Sequence, residues 1–314
     1  MPDLKPAVET VVRDCLAIAP GEDVLVIVDR ATRPIGEALR EAAAATGADA
    51  VLAVMDERAT DGTEPPPTLA AALAAADVFI APTSRSLSHT RARKAASEAG
   101  ARGATMPGVT EDMLAREMAV DFPLMKARSE QVAVLLTNAD SARVTCPRGT
   151  DLTLVLTGRE GISDDGDLTT RGAFGNLPCG EGFIAPIGGD GVLVASSVAP
   201  LGLSEPEPAT VTVADGRISG AAGGLGPRFI ELLRAHGEPG TNLAELGIGT
   251  NDRATLAGNV LEDEKILGTV HVAFGASIGI GGTVSVPIHL DVVILDATLE
   301  IGGTRVLDAG RYVL

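Results

Sequence analysis

Few side chains in this sequence are suited to chemistry, and they gather late in it. There are four histidines in 314 residues. Two of them, His271 and His289, lie in one stretch rich in Gly and β-branched residues, and Asp291 follows two positions after His289. On a strand, residues two apart project from the same face. Imidazoles and a carboxylate converging from neighbouring strands make the ligand set of a transition-metal site. Upstream, Glu181 and Glu245 stand among Leu, Ile and Phe between glycines. A carboxylate in such surroundings needs a partner, and one metal ion can serve several. Taken singly, Glu181 or Glu245 reads as a turn or helix-end carboxylate and His271 as a hydrogen-bonded core histidine. Five such groups at Gly-punctuated strand ends read as a site.

The remaining polar clusters are assigned lesser roles. The run Glu262, Asp263, Glu264, Lys265 has the composition of a solvated turn. Because it sits directly ahead of the His271 strand, it is expected to support a ligand rather than be one. His89 lies in a Ser/Thr/Arg-rich loop, read either as substrate contact or as a helix start capped by Ser86 or Ser88. His236 reads as structural, at a helix C-terminus. Cys179 is placed to line the Glu181 loop.

The elements that position these groups fall into two textures. From 1 to 139, short apolar runs (23–29, 49–55, 78–82) alternate with helical patterns (34–46, 68–75, 86–100). That alternation predicts a Rossmann-like parallel α/β domain. No GxGxxG opens its first crossover helix, so no dinucleotide cofactor is expected. A linking helix is expected over 121–139. From 140 to 314, alternating Val/Thr/Leu segments joined by Gly turns predict a mainly antiparallel β domain carrying the metal site. Strands are read at 141–146, 151–157, 192–197, 209–213, 269–274, 284–295 and 297–300, with one helix over 227–236.

Composition narrows the partners. Hydrophobic residues form 45% of the chain and aromatics only 2%, which disfavours stacking platforms for bases or sugars. A net charge of −17 disfavours nucleic acid and anionic membrane surfaces. Three widely spaced cysteines suggest no disulfide framework, and no signal pattern or long apolar run is present, so a cytoplasmic protein is expected.

The segments NLPCGEGFIAP (176–186), AELGIGTN (244–251), LEDEK (261–265), GTVHVAFG (268–275) and HLD (289–291) together resemble the M29 family of metallo-aminopeptidases. In the first domain SLSHT (86–90) and MPG (106–108) add to the likeness. The resemblance implies a dinuclear centre of Zn, Co or Mn that activates a bridging water and removes N-terminal residues from small peptides. Its ligands would be Glu181, Glu245, His271, His289 and Asp291. Glu245 would bridge, and Glu181 and Glu245 would be the catalytic carboxylates. It also implies a homodimer acting on a small molecule or short peptide. One departure stands out: where the family carries a tyrosine after the first metal histidine, this chain has Ala276, Ser277 and Ile278, and its single tyrosine is Tyr312. A related branch, the 2,5-dihydroxypyridine 5,6-dioxygenases, is similar in the same β domain. It would use one Fe(II) held by His271, His289 and Asp291. A repurposed metal-binding homologue without peptidase turnover is the third expectation.

Overall fold

The structure is a computed structural model describing residues 2–314. The chain forms two compact units. One contains the segment up to Val120 together with 166–179, and the other contains 121–165 and 180–314. The chain therefore passes between units three times, not once near 140.

The first unit is built on a five-stranded parallel sheet in the order Asp49–Val54, Asp23–Val28, Val78–Ala81, Arg102–Thr105, Phe174–Asn176. Helices Arg33–Ala44, Pro67–Ala75 and Arg91–Ala99 connect the first four strands, as parallel pairing requires. The central run Val24–Val28 is wholly buried, which explains its unbroken apolar sequence. The fifth strand is only three residues long, and Phe174 stacks on Phe79 with ring centroids 6.3 Å apart. The helix expected from Ser86 starts later. Thr90 is its N-cap, accepting from Arg93 N, because Ser86 and Ser88 are engaged elsewhere. Their hydroxyls lie 2.9 Å apart, and Ser88 Oγ is 2.7 Å from Thr105 Oγ1.

The second unit opens with helix Phe122–Thr137, whose first turn is capped by Asp121 accepting from Leu124 N. This is the expected linking helix. It belongs to the second unit because Val132 and Leu136 enter that unit's core. Two antiparallel sheets make up the rest. An eight-stranded sheet runs through Gly188–Val194, Asp151–Val155 and Ser141–Thr145 at its centre. A seven-stranded sheet is ordered Gly202–Leu203, Ser197–Val198, His289–Ile294, Val270–Gly275, Leu243–Gly249, Glu181–Ile184, Ile162–Asp164. Their shared core takes Val144, Leu152, Leu154, Leu193 and Val211 from the first, and Ile184, Leu246, Ile248, Val270, Val272, Val292 and Ile294 from the second. This is the α/β-plus-antiparallel-β architecture that the sequence predicts. The strand expected from 284 begins only at His289. Residues 284–288 instead fold back, with Ser277 N donating to Val284 O and Ala276 N to Ile288 O.

Among the described residues no helix is long and apolar enough to cross a membrane. None of the three cysteines is in a disulfide.

Candidate metal centre

Strand parity determines which groups meet. In the seven-stranded sheet the even-numbered residues from 182 to 184, 246 to 248 and 270 to 274 face the core, as do Val292 and Ile294. Glu181, Glu245, His271, His289 and Asp291 therefore share the opposite face. The registers Gly249↔Glu181, Gly247↔His271, Ala273↔Glu245, Ala273↔Asp291 and Gly275↔His289 bring them across four adjacent strands. Between them that face is paved by Gly247, Gly249, Ala273 and Gly275, which leaves room for the larger groups. Gly247 is needed for a specific reason. The His271 ring lies directly over it, and a Cβ there would stand 2.0 Å from Nε2.

All five residues predicted from sequence are brought together. His271 Nε2 lies 3.0 Å from Glu181 Oε2 and 3.2 Å from Glu245 Oε1. His289 Nε2 lies 3.3 Å from Glu245 Oε2 and 3.8 Å from Asp291 Oδ1. His289 Nδ1 is 2.7 Å from the Ala276 carbonyl, to which it donates, so Nε2 is the nitrogen presented to the carboxylates. His271 is fully buried, and Glu181, Glu245 and Asp291 nearly so. His271 Nδ1 has no hydrogen-bond partner.

The donor set fits a divalent cation. A single N–H on His271 Nε2 cannot serve two carboxylates from different strands, yet both stand within contact. Ligand bonds of about 2.1 Å give ligand–ligand edges of about 3.0 Å in an octahedron and about 3.4 Å in a tetrahedron. The observed spacings of 3.0–3.3 Å match those edges. Two overlapping sets have ligand atoms mutually within 4.8 Å: Glu181, Glu245, His271 and Glu264, His271, Asp291.

Without a metal ion the imidazoles supply the positive charge. Burial disfavours imidazolium at His271, but Glu181 and Glu245 outweigh it and hold its pKa well above the ordinary value. Burial likewise opposes charge at His289, yet the hydrogen bond to Glu245 and the charge of Asp291 raise it to about 10. At Glu245 burial favours the neutral acid. Hydrogen bonds from His271 and His289 win, and the carboxyl is held well below its usual range. At Asp291 burial wins over the His289 charge and the pKa is raised.

Three further residues enter the site that the sequence pattern did not nominate as ligands. Lys265 Nζ donates to Glu181 Oε1 at 2.5 Å and Glu264 Oε1 at 2.7 Å, and stands 3.6 Å from Asp164 Oδ2. Its side chain is 1% exposed. Glu264, expected only to support a ligand, reaches the set formed with His271 and Asp291. Asp164 pairs in register with Glu181 on the neighbouring strand. Burial pushes Glu264 up to about 8 and Asp164 up to about 7, against the pull of Lys265. The rest of the acidic run supports the local turn. Glu262 accepts from Thr255 N and Oγ1, both at 2.7 Å, and Asp263 accepts from Ala257 N at 2.8 Å. His89, in the first unit, is exposed. His236 is exposed just beyond helix Gly226–Arg234.

Known proteins resemble the chain along its whole length. A 2,5-dihydroxypyridine dioxygenase from Pseudomonas putida KT2440 superposes with a TM-score of 0.83 at 20% identity, over 99% of this chain and 96% of that one. AmpT from Thermus thermophilus, an M29 aminopeptidase, superposes at 0.72 with 21% identity over 99% of each chain. At such identities both likenesses are of fold, and they bear out the resemblance to the two branches. No curated protein matches the sequence. The family model described as NicX, 2,5-dihydroxypyridine 5,6-dioxygenase, matches residues 3–314. The chain belongs to the 2,5-dihydroxypyridine 5,6-dioxygenase family.

Proposed function

We propose that this protein is an Fe(II)-dependent oxygenase that opens a small hydroxylated aromatic ring, the alternative reading of its sequence rather than the aminopeptidase one. The observation that carries this is the placing of His271, His289 and Asp291 on one face of two adjacent antiparallel strands, within a family of dioxygenases. Two imidazoles and one carboxylate hold a metal ion while leaving coordination positions open. The bound ion would supply a place where O₂ and an electron-rich ring meet. The protein's own groups do the rest. The Ala276 carbonyl orients His289. Glu245, whose Oε2 lies 3.3 Å from His289 Nε2, is the carboxylate assigned here to receive a proton from a ring hydroxyl. The burial of Glu181, Glu245, His271 and Asp291 keeps bulk water from those groups, while His289 is 18% exposed.

A second reading, a two-metal hydrolase acting on amino-terminal residues, is favoured by one observation: Glu181 and Glu245 both approach His271 Nε2. Elemental analysis of the purified protein, with oxygen uptake on 2,5-dihydroxypyridine and chromophore release from an amino-acyl substrate, separates the two. One equivalent of iron with oxygen consumption is expected. Two equivalents of Zn, Mn or Co with chromophore release and no oxygen uptake would overturn the proposal in favour of the hydrolase.

A further inference from the structure

A line of hydroxyl groups crosses the carboxyl ends of three neighbouring strands of the first unit, Val78–Ala81, Arg102–Thr105 and Phe174–Asn176. Ser86 and Ser88 follow the first strand, Thr105 ends the second, and Asn176, its partner in register, ends the third. Ser86 Oγ accepts from Ser88 N at 3.2 Å, so its own proton turns to Ser88 Oγ, 2.9 Å away. Ser88 Oγ lies 2.7 Å from Thr105 Oγ1, which donates to Asn176 Oδ1 at 2.8 Å. Each hydroxyl has one proton to give. All three protons are thereby used inside the line, and the last is received by Asn176 Oδ1.

Both ends of the line are held. Arg93 Nε donates to Ser88 O at 2.7 Å, and its guanidinium lies 3.9 Å from the centre of the Phe174 ring, two residues before Asn176. The Asn176 amide is therefore fixed by its oxygen, with the nitrogen turned away from the hydroxyls. Nδ2 has two N–H donors, no acceptor among the described residues, and is not buried. A brace between strands would need only the acceptor, and an aspartate would serve. The amide adds a pair of oriented donors that the fold itself does not use.

In open parallel α/β sheets, ligands bind outside the carboxyl ends of the strands. We propose that Asn176 is a substrate-binding residue whose oriented amide donates to a carbonyl-type oxygen on a small ring. A donor-only group takes an acceptor, and in a chain of net charge −17 an uncharged oxygen is favoured over a carboxylate. The 2-oxygen of a 2-hydroxypyridine, in its pyridone form, is such an acceptor. The choice of ring rests on the oxygenase reading. The oriented amide does not, since every residue that holds it belongs to the first unit.

The test is a cycle of two ligands and two proteins. Binding of 2,5-dihydroxypyridine, and of 3-hydroxypyridine, which lacks the 2-oxygen, is measured by calorimetry on the full chain in the absence of oxygen. Wild type is expected to prefer 2,5-dihydroxypyridine on the order of tenfold. Asn176→Asp keeps an acceptor for Thr105 and Ser88 but has no N–H, and is expected to fold and to lose the preference. Should that variant be recovered unfolded, Thr105→Val leaves the amide without the bond that fixes it and is expected to narrow the preference about threefold or more. A wild type that binds neither compound or shows no preference, or a preference unchanged in the folded variant, would overturn the inference. A preference lost in the variant, with no oxygen uptake by wild type, would leave this inference standing and defeat the oxygenase reading alone.

Discussion

Gly247→Ala tests the site through its floor. A Cβ at this position would stand 2.0 Å from His271 Nε2, 2.2 Å from Cε1 and 2.8 Å from Cδ2. Non-bonded carbon contacts settle at about 3.5–4.0 Å, so the ring must retreat by more than about 1 Å. It has nowhere to go without cost, because it is fully buried and its Nε2 sits 3.0 and 3.2 Å from Glu181 and Glu245. A misplacement of about 1 Å at a reacting centre costs on the order of 100-fold, and overpacking costs about 1–3 kcal/mol of stability. Turnover of Gly247→Ala should therefore fall on the order of 100-fold, and metal titration by calorimetry should show it binding Mn²⁺ or Fe(II) more weakly. Gly220→Ala is the control, since a Cβ there meets nothing within 4 Å. If Gly247→Ala binds metal within twofold of wild type and melts at the same temperature, the picture of a ring pinned across a glycine is wrong.

Other outcomes follow from the same geometry. His289→Ala or Asp291→Ala should abolish turnover and metal retention while preserving the far-ultraviolet circular dichroism of the β unit; substantial activity in either would remove them from the ligand set. Glu181→Gln should keep oxygen consumption within about tenfold of wild type, yet lower the melting temperature. It removes one of three carboxylates around the buried Lys265 ammonium and leaves Glu264 and Asp164, so the cost should fall below the about 3–5 kcal/mol of a fully broken buried pair; complete loss of turnover with the fold intact would argue for Glu181 as a ligand. Metal uptake should release protons, because His289 is raised to about 10 and is charged at neutral pH in the metal-free protein. Apparent affinity should climb with pH up to about 10, by about tenfold per unit for each proton displaced, and a flat profile between pH 6 and 8 would contradict this. The sign reverses for stability of the metal-free form. A raised histidine contributes fully below its ordinary 6.5 and loses that contribution as pH climbs through about 10. Burial-raised Glu264, at about 8, adds to the fall. The chelated protein should therefore melt lower at pH 10 than at pH 6.5, and no difference would refute the assignment.

Much of this was legible in the sequence where local pattern and global structure agree. The buried run at 24–28 and its alternation with helices announce the parallel sheet. The two-residue spacing of His289 and Asp291 puts both on one face whatever surrounds them. Lys265 and Glu264 were legible only as support for a ligand and not as members of the cluster itself, because a charge run ordinarily faces water. Here Glu262 and Asp263 turn onto backbone N–H groups of 255–258, and that turn carries Lys265 inward. Asp164 sits in an acidic, Gly-containing segment with the look of a loop, and it is pairing with Glu181 that makes it part of the sheet. The strand Phe174–Asn176 is too short for any periodicity to register, and its place is set by hydrogen bonding to Arg102–Thr105.

That short strand bears on how the chain is made. The parallel sheet is complete only when 174–176 docks, and its Asn176 Oδ1 accepts from a hydroxyl 71 positions earlier, that of Thr105. During synthesis from the N-terminus, Arg102–Thr105 emerges first and waits as an open edge while the helix 122–137 and the hairpin 141–155 are translated. The first unit thus begins first but cannot close until residues 121–165 of the second have been made. A gene fragment cut at 139 would express four strands with an unprotected flank, prone to pairing with its own kind. Supplying 166–179 as a grafted tail, instead of trimming the boundary further, is the change that would let the amino-terminal unit stand alone.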